Sequence, residues 1–440
     1  MSRRLLGVAV LVVALAGTAL ADTDYYVKLG GSGSQDGTDW NNALPSVKAA
    51  WAKMKPPNSG APGVYNVYIE ETGAASHGEV IPPGWDTWYR DEIEINHYGG
   101  LTPTGTTSYV RNEGDVSRVV AVADKPAFQI SSGVGGVGNY YMDRVNVRFD
   151  DMVIEGGPTQ GAVKFDAVGY QIGCEFRANR TQFIAGENCT DKTINFGGGR
   201  PNRLTVEMDR VLVQNGNGGA YFACSYGGST TWRGDADVTI SNTAFVDTGT
   251  YGLYARGNNY SSWSYRADIE LDHVTFSNVG VCVRTGNAGG SANNELDTNG
   301  VLYFPDDTST GYLFRNDEAN TLRALVVRGD LNAAFGYNLM IDPATVGGVN
   351  LTGVTFLVDD AGVDPGLDPD GYHLLGSSDA RIIDCYVGGT LLYDIDGEVR
   401  MMGLGWDIGA DELLPPPIPE PAGLSLLGLA LVGLKRRRRS

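Results

Sequence analysis

Carboxylates and flat aromatic rings are the residues of this chain best suited to do chemistry together. Asp237, Asp268, Glu270 and Asp272 fall close to one another, and His273 follows directly. Two carboxylates about 5 Å apart raise one another's pKa and can act as the acid and base of glycoside hydrolysis. The same oxygens suit calcium, a hard cation that gathers oxygen ligands. His273 could serve as a general base, although a lone histidine at a strand edge is more often structural. A run of acidic residues is, in turn, more often a solvated face than a catalyst. Trp232 and Trp263 stand 31 residues apart, with Tyr260 beside the second. Such rings offer sugars an apolar surface with little entropy to lose; the competing reading is an aromatic ladder packed within loops. A lyase would need a basic proton abstractor, and Lys164, Arg148 and Arg210 have no motif around them.

These residues can act together only if the backbone repeats. With Val147, Val206, Val238, Ile269 and Val349 as position zero, Phe149, Met208, Ile240, Leu271 and Leu351 stand two residues on. Seven residues on stand Ile154, Val213, Phe245, Phe276 and Phe356. The central copies are 32 and 31 residues apart, and residues 172–176 supply the copy between Val147 and Val206. A period near 30 built from alternating segments and Gly/Asn turns predicts a β-solenoid of parallel strands about 4.8 Å apart, with equivalent residues stacked. Asn215, Asp247 and Asn278, nine residues on, then form a ladder of turn residues. The same stacking carries Asp237 over Asp268 and Trp232 over Trp263, and points Arg148, Glu207, Thr239 and Glu270 outward.

The opening residues Asp24-Tyr25-Tyr26-Val27, Gly30-Gly31-Ser32-Gly33, Asp36-Gly37 and Trp40-Asn41-Asn42-Ala43 resemble the start of bacterial proteins of the pectin-lyase-like superfamily. Asp364-Pro365, Tyr372-His373-Leu374, Asp394-Ile395-Asp396-Gly397 with Arg400, and Asp407-Ile408-Gly409-Ala410-Asp411-Glu412 resemble that family's closing segment. The resemblance spans residues 24–412. It implies an all-β chain folded as a right-handed parallel β-helix, with polysaccharide held on a flat sheet face, and it names no activity. Residues 43–54 read as a short N-terminal helix capping the open apolar end. Asp368-Pro369-Asp370-Gly371 and Asp394-Ile395-Asp396-Gly397 look like pieces of calcium loops but lack the later glutamate of an EF-hand, so they read as turns.

Both ends carry addresses. Arg3 and Arg4, the apolar stretch from Leu5 to Ala16, and Ala19-Leu20-Ala21 make residues 1–21 a cleavable signal peptide. The β-helix domain takes residues 22–412, and a proline-rich spacer takes 413–421. Pro419, Glu420 and Pro421 open a tail that continues through an apolar segment, residues 422–434, to Lys435, Arg436, Arg437, Arg438, Arg439 and Ser440. A helix of that length reaches about 20 Å, short of a hydrocarbon core about 30 Å thick, so it suits a transient transmembrane signal better than a permanent anchor. Residues 419–440 resemble the PEP-CTERM sorting signal of Gram-negative bacteria, in which a membrane protease, exosortase, processes the tail. That resemblance implies an exosortase-type partner, transient inner-membrane association, and a final place in the cell envelope, at the surface or in the extracellular matrix.

Without these ends the 33 basic and 52 acidic residues fall to 26 and 51, a net charge of about −25. Such a body excludes nucleic acid and anionic membrane surfaces as partners. Five cysteines match no zinc or redox spacing; Cys174 and Cys189 could close a short loop, or remain buried thiols. The sequence thus leads to an exported, envelope- or matrix-directed β-helix surface protein. It binds extracellular polysaccharide through Trp232, Trp263 and Tyr260, has no identifiable catalytic motif, and needs no cofactor apart from calcium as an option. Two alternatives stay open. One is a polysaccharide hydrolase or lyase with Asp237, Asp268, Glu270 and Asp272 lining a groove; the other is a structural or adhesion protein of the matrix.

Overall fold

The computed structural model describes residues 22–54, 63–78, 80, 92–131, 144–166, 174–197, 203–223, 235–258, 267–288, 294–304, 312–317, 325–330, 333–335, 349–350, 358–360, 365–380, 382–383, 391–400 and 406–413. The signal peptide, the tail with Pro419 to Arg439, and the residues Trp232, Tyr260, Trp263, Cys224 and Cys385 lie outside them. Among the described residues no helix is long and apolar enough to cross a membrane.

Alternation with a period near 30 does build a parallel β-helix. Among the described residues its strands form one sheet of 17 and one of seven. Long strands of the larger sheet, Cys174–Ile184, Arg203–Gln214, Asp235–Val246 and Ala267–Ser277, pair in parallel and in register. Phe176 aligns with Val147 and Val206, Val206 with Val238, and Val238 with Ile269. The inward columns are dry: Val147, Phe149, Ile154, Val206, Met208, Val213, Val238, Ile240, Phe245, Ile269, Leu271 and Phe276 all belong to one buried cluster. Strands of the smaller sheet, among them Val163–Asp166, Lys192–Gly197, Gly218–Ala223, Leu253–Asn258 and Val281–Ala288, close each coil from the other side.

Each long strand is bent at one left-handed residue four places after position zero. Asp151, Arg180, Arg210, Asn242 and His273 have φ between 42° and 55°, and Gly100 and Gly300 hold the same hand. The bend flips the phase of alternation, so that inward residues two and seven places after position zero both reach the core. The expected turn ladder sits at the far end of the strands: Asn215, Asp247 and Asn278 are left-handed too. Asn278 Nδ2 donates to Asp247 Oδ1 at 2.5 Å, and Asn215 Nδ2 to the Ala185 carbonyl at 3.3 Å.

Two expectations need correction. The copy beginning at Val349 is two residues out of register. Val349 aligns with Leu325 and Leu325 with Asn294, two places before Leu296, the partner of Ile269; Leu351 and Phe356 lie outside the described residues. A slip of two preserves alternation, which is why the pattern could not exclude it. The N-terminal helix is shorter than residues 43–54. Pro45 disfavours helical backbone at Leu44, which bridges to Val27 instead, and Ser46 caps a helix over Val47–Lys53. The helix still closes the solenoid's end, because Trp51 is fully buried, faces Phe128 and Phe165, and donates from Nε1 to His97 Nε2 at 2.9 Å. Of the two states left open for Cys174 and Cys189, the structure holds the second: both are buried thiols outside any disulfide, as is Cys282.

His77 occupies an inward column, bridging to Val119, which pairs with Ile154. It is 1% exposed and neither ring nitrogen has a hydrogen-bond partner. Burial depresses its pKa to about 4, as it does for His97. A base depressed in the folded state adds stability above its unfolded pKa, near 6.5, and that stability is lost as pH falls through about 4. The loss is on the order of 3 kcal/mol for each histidine. His77→Leu is expected to stabilise the protein by about 1–3 kcal/mol at pH 7, by removing an unsatisfied polar group. It should also halve the acid sensitivity from these two sites, which urea unfolding at pH 7.5 and 4.5 measures directly.

The closing segment, residues 365–413, packs against the outside of the second halves of the long strands. Leu374, Ile382, Trp406 and Ile408 bury against Leu302, while Ala410, Tyr372 and Ile395 cover Leu212, Ala244 and Val246. The two Asp-Gly motifs are indeed turns, closed by Gly371 N–H to Asp368 carbonyl at 2.8 Å and Gly397 N–H to Asp394 carbonyl at 3.3 Å.

Candidate functional site

The outer face of the larger sheet carries the acidic residues that the repeat aligned. Asp237 pairs with Asp268, and Thr239 with Glu270. Asp237, Asp268 and Glu270 are brought together with Arg203, Thr239 and Asp297 around a shallow depression of about 370 Å³. Asp237 is already engaged there, 2.6 Å from Arg203 Nη2. Asp272 does not join them, because its Oδ1 lies 2.7 Å from Nδ1 of His273. His273 is buried at the left-handed bend, with Gly300 against its ring and the Trp406 ring centroid 5.2 Å away. Burial lowers its pKa, and the ring lies beneath the closing segment, shielded from solvent. Toward the N-terminal coils the same face holds a second depression of about 330 Å³ between Arg148, Arg177, Glu207 and Ser241. Its charges are paired: Arg148 Nη2 lies 2.7 Å from Asp150, and Arg177 Nε lies 3.1 Å from Glu207, an ion pair without hydrogen-bond geometry.

A different chemistry occupies the smaller sheet. Its register aligns Lys164 with Asn195, Asn195 with Tyr221, Tyr221 with Tyr254, and Tyr254 with Arg284. Tyr221, Tyr251, Tyr254, Lys192, Arg256 and Arg284 line a depression of about 380 Å³. The Tyr221 and Tyr254 rings meet edge to face at 5.2 Å, and Tyr251 meets Tyr254 the same way at 5.4 Å. Arg284 lies over the Tyr254 ring, 4.5 Å from its centroid, and Lys192 over Tyr221 at 5.0 Å. Burial pushes the Tyr251 hydroxyl well above its ordinary pKa, so it stays a hydrogen-bond donor. In a body this acidic, a concentration of cations on aromatic faces is the surface best able to hold an anionic or hydroxyl-rich ligand.

Sequence reasoning missed this surface. A signal was present: Gly219-Ala220-Tyr221-Phe222-Ala223 and Gly252-Leu253-Tyr254-Ala255-Arg256 repeat at a spacing of 33, close to the period of the long strands. Trp232, Tyr260 and Trp263 fall in the connections that follow these strands and lie outside the described residues. Comparison with protein-family models, curated proteins and solved structures found no match to this chain. What its own residues define is a parallel β-helix with two chemically distinct outer faces, one carboxylate-rich and one basic and aromatic.

Proposed function

We propose that this chain is an exported, envelope-directed surface protein whose β-helix binds extracellular polysaccharide across the smaller sheet. The observation that carries the reading is the Tyr221, Tyr251, Tyr254, Lys192 and Arg284 surface. It sets guanidinium and ammonium donors for hydroxyl or carboxylate oxygens on a packed tyrosine base, in which Tyr251 and Tyr254 are 5% and 7% exposed and Tyr221 is the part-exposed ring of the three. Rungs about 4.8 Å apart repeat those donors along the solenoid axis, as suits a polymer of repeating sugars. The signal peptide and the PEP-CTERM-like tail support export and exosortase processing; mass spectrometry of the native protein is expected to find residues beyond about Pro421 removed.

A glycan array on the mature domain tests binding. Arg284→Ala is expected to weaken the best ligand about tenfold, the effect of one charge-assisted hydrogen bond, in a domain that circular dichroism shows still folded. Undiminished binding in that variant would move the site off this sheet. The hydrolase or lyase reading rests on Asp237, Asp268 and Glu270 sharing one depression. Release of reducing sugar, abolished by Asp268→Asn, is the result that would favour it.

A further inference from the structure

We propose that His97 is an acid-sensitive latch for the helix over Val47–Lys53, and that protonating it releases the helix and opens the N-terminal end of the solenoid. A polar contact inside an apolar one docks this helix. Trp51 reaches from it into the core, lies against the rings of Phe128 and Phe165, and donates from Nε1 to His97 Nε2 at 2.9 Å. His97 in turn stacks on Phe149, with ring centroids 4.8 Å apart. Both Trp51 and His97 are fully buried.

The polarity of these bonds fixes the state of the imidazole. His97 Nδ1 lies 2.9 Å from the Arg148 carbonyl oxygen, which can only accept, so Nδ1 carries the hydrogen. Nε2 is then the bare nitrogen that accepts from Trp51. A second proton would go to Nε2 and set two N–H donors against each other, and an indole N–H cannot turn acceptor. Parting the two rings is the way to relieve that clash. No charge is at hand to compensate it. The rings packed on His97, those of Trp51, Phe128 and Phe149, are uncharged. The Arg148 guanidinium lies on the outer face, 5.6 Å from the Tyr98 centroid. His77 and Tyr65 are the other titratable side chains buried in these coils, and neither supplies an anion.

Burial holds the His97 pKa down to about 4, while a ring freed by departure of the helix returns to about 6.5. The closed form therefore refuses a proton that the open form accepts. Opening grows more frequent as pH falls from about 6.5 to about 4 and levels off below that. Between pH 7.5 and 5 the gain is about thirtyfold. The chain leading into the helix also covers the edge of the first strand, Thr23–Val27: Leu44 N–H donates to the Tyr26 carbonyl at 2.8 Å, and Lys28 N–H to the Leu44 carbonyl at 3.0 Å. Lifting the helix loosens that cover and bares the apolar end of the core.

Hydrogen exchange on the full mature chain at pH 7.5 and 5, corrected for the intrinsic pH dependence of exchange, is the test. Amides of Val47–Lys53 are expected to open about thirtyfold more often at pH 5, while Arg203–Gln214 and Asp235–Val246 change by less than about threefold. His97→Gln keeps an acceptor for Trp51 and a donor for Arg148 but takes up no proton, so its helix should open equally often at both pH values. The unmodified protein gives a second readout: long-range proton–nitrogen NMR spectra should show the His97 hydrogen on Nδ1. No pH response in the helix, an equal response in every coil, a response kept in His97→Gln, or a hydrogen on Nε2 would overturn the latch.

Discussion

Replacing Arg400 with methionine is expected to cost about 3–5 kcal/mol and to free the closing segment from the solenoid. The guanidinium is 3% exposed and is the hub of that segment. Nε and Nη2 donate to Asn242 Oδ1 at 3.1 and 2.9 Å, and Nη2 also donates to the carbonyls of Gly409 and Ala410 at 3.1 and 2.7 Å. Nη1 stands 3.5 Å from Glu412 Oε2, an ion pair without a hydrogen bond. Methionine fills the volume but leaves Glu412 buried without countercharge and Asn242 without its donors. Arg400→Lys should rescue little, because one ammonium cannot reach acceptors arranged for a planar fork. Urea denaturation measures the loss, and limited proteolysis should cut first within residues 365–413. A cost below about 1 kcal/mol would show that apolar contacts alone hold the segment.

The second large effect belongs to the core. Phe176 is fully buried, and its ring lies within 6.1 Å, centroid to centroid, of the rings of Phe149, Phe183, Phe196 and Phe222. It compensates for Ala178, the small residue that replaces a large one in the column of Phe149 and Met208. Phe176→Ala is expected to destabilise by about 3–5 kcal/mol, the transfer and cavity terms together. In a solenoid each coil touches only its neighbours, so the damage should be local. Hydrogen exchange should quicken in Arg144–Asp150, Cys174–Ile184 and Arg203–Gln214, while Ala267–Ser277 keeps its protection. A uniform loss across all four strands would mean the coils unfold as a single unit.

Apolar spacing made the larger sheet legible because its strands are long and alternate strictly. The left-handed bend was also written in the spacing, though not in residue type. Two positions five apart cannot face the same side of a straight strand, and Asp151, Arg180, Arg210, Asn242 and His273 share no chemistry that marks a turn. The smaller sheet was harder to see, since strands such as Gly218–Ala223 are short and rich in small residues. Its tyrosines and arginines lie far apart in sequence and meet only through register. The acidic residues were found correctly as neighbours, yet only folding shows Asp272 and His273 bonded together under Trp406. Trp51 and His97 meet because the helix folds onto the open end of the solenoid, a closeness that spacing does not encode.

The course of the closing segment decides how the molecule carries load. Any pull on the chain beyond Leu413 meets the Ala410 N–H bond to Thr275 Oγ1, the Gly409 N–H bond to the Gly300 carbonyl, and the Arg400 bonds to Asn242 before it reaches a coil. These attachments belong to three successive rungs, so tension is shared among them and directed along the flank of the solenoid. The bonds must then yield together, in shear, and not one after another as in a zipper. A chain pulled from its C-terminal end would resist unravelling by this geometry, with the rungs between Arg210 and Leu302 acting as its cleat.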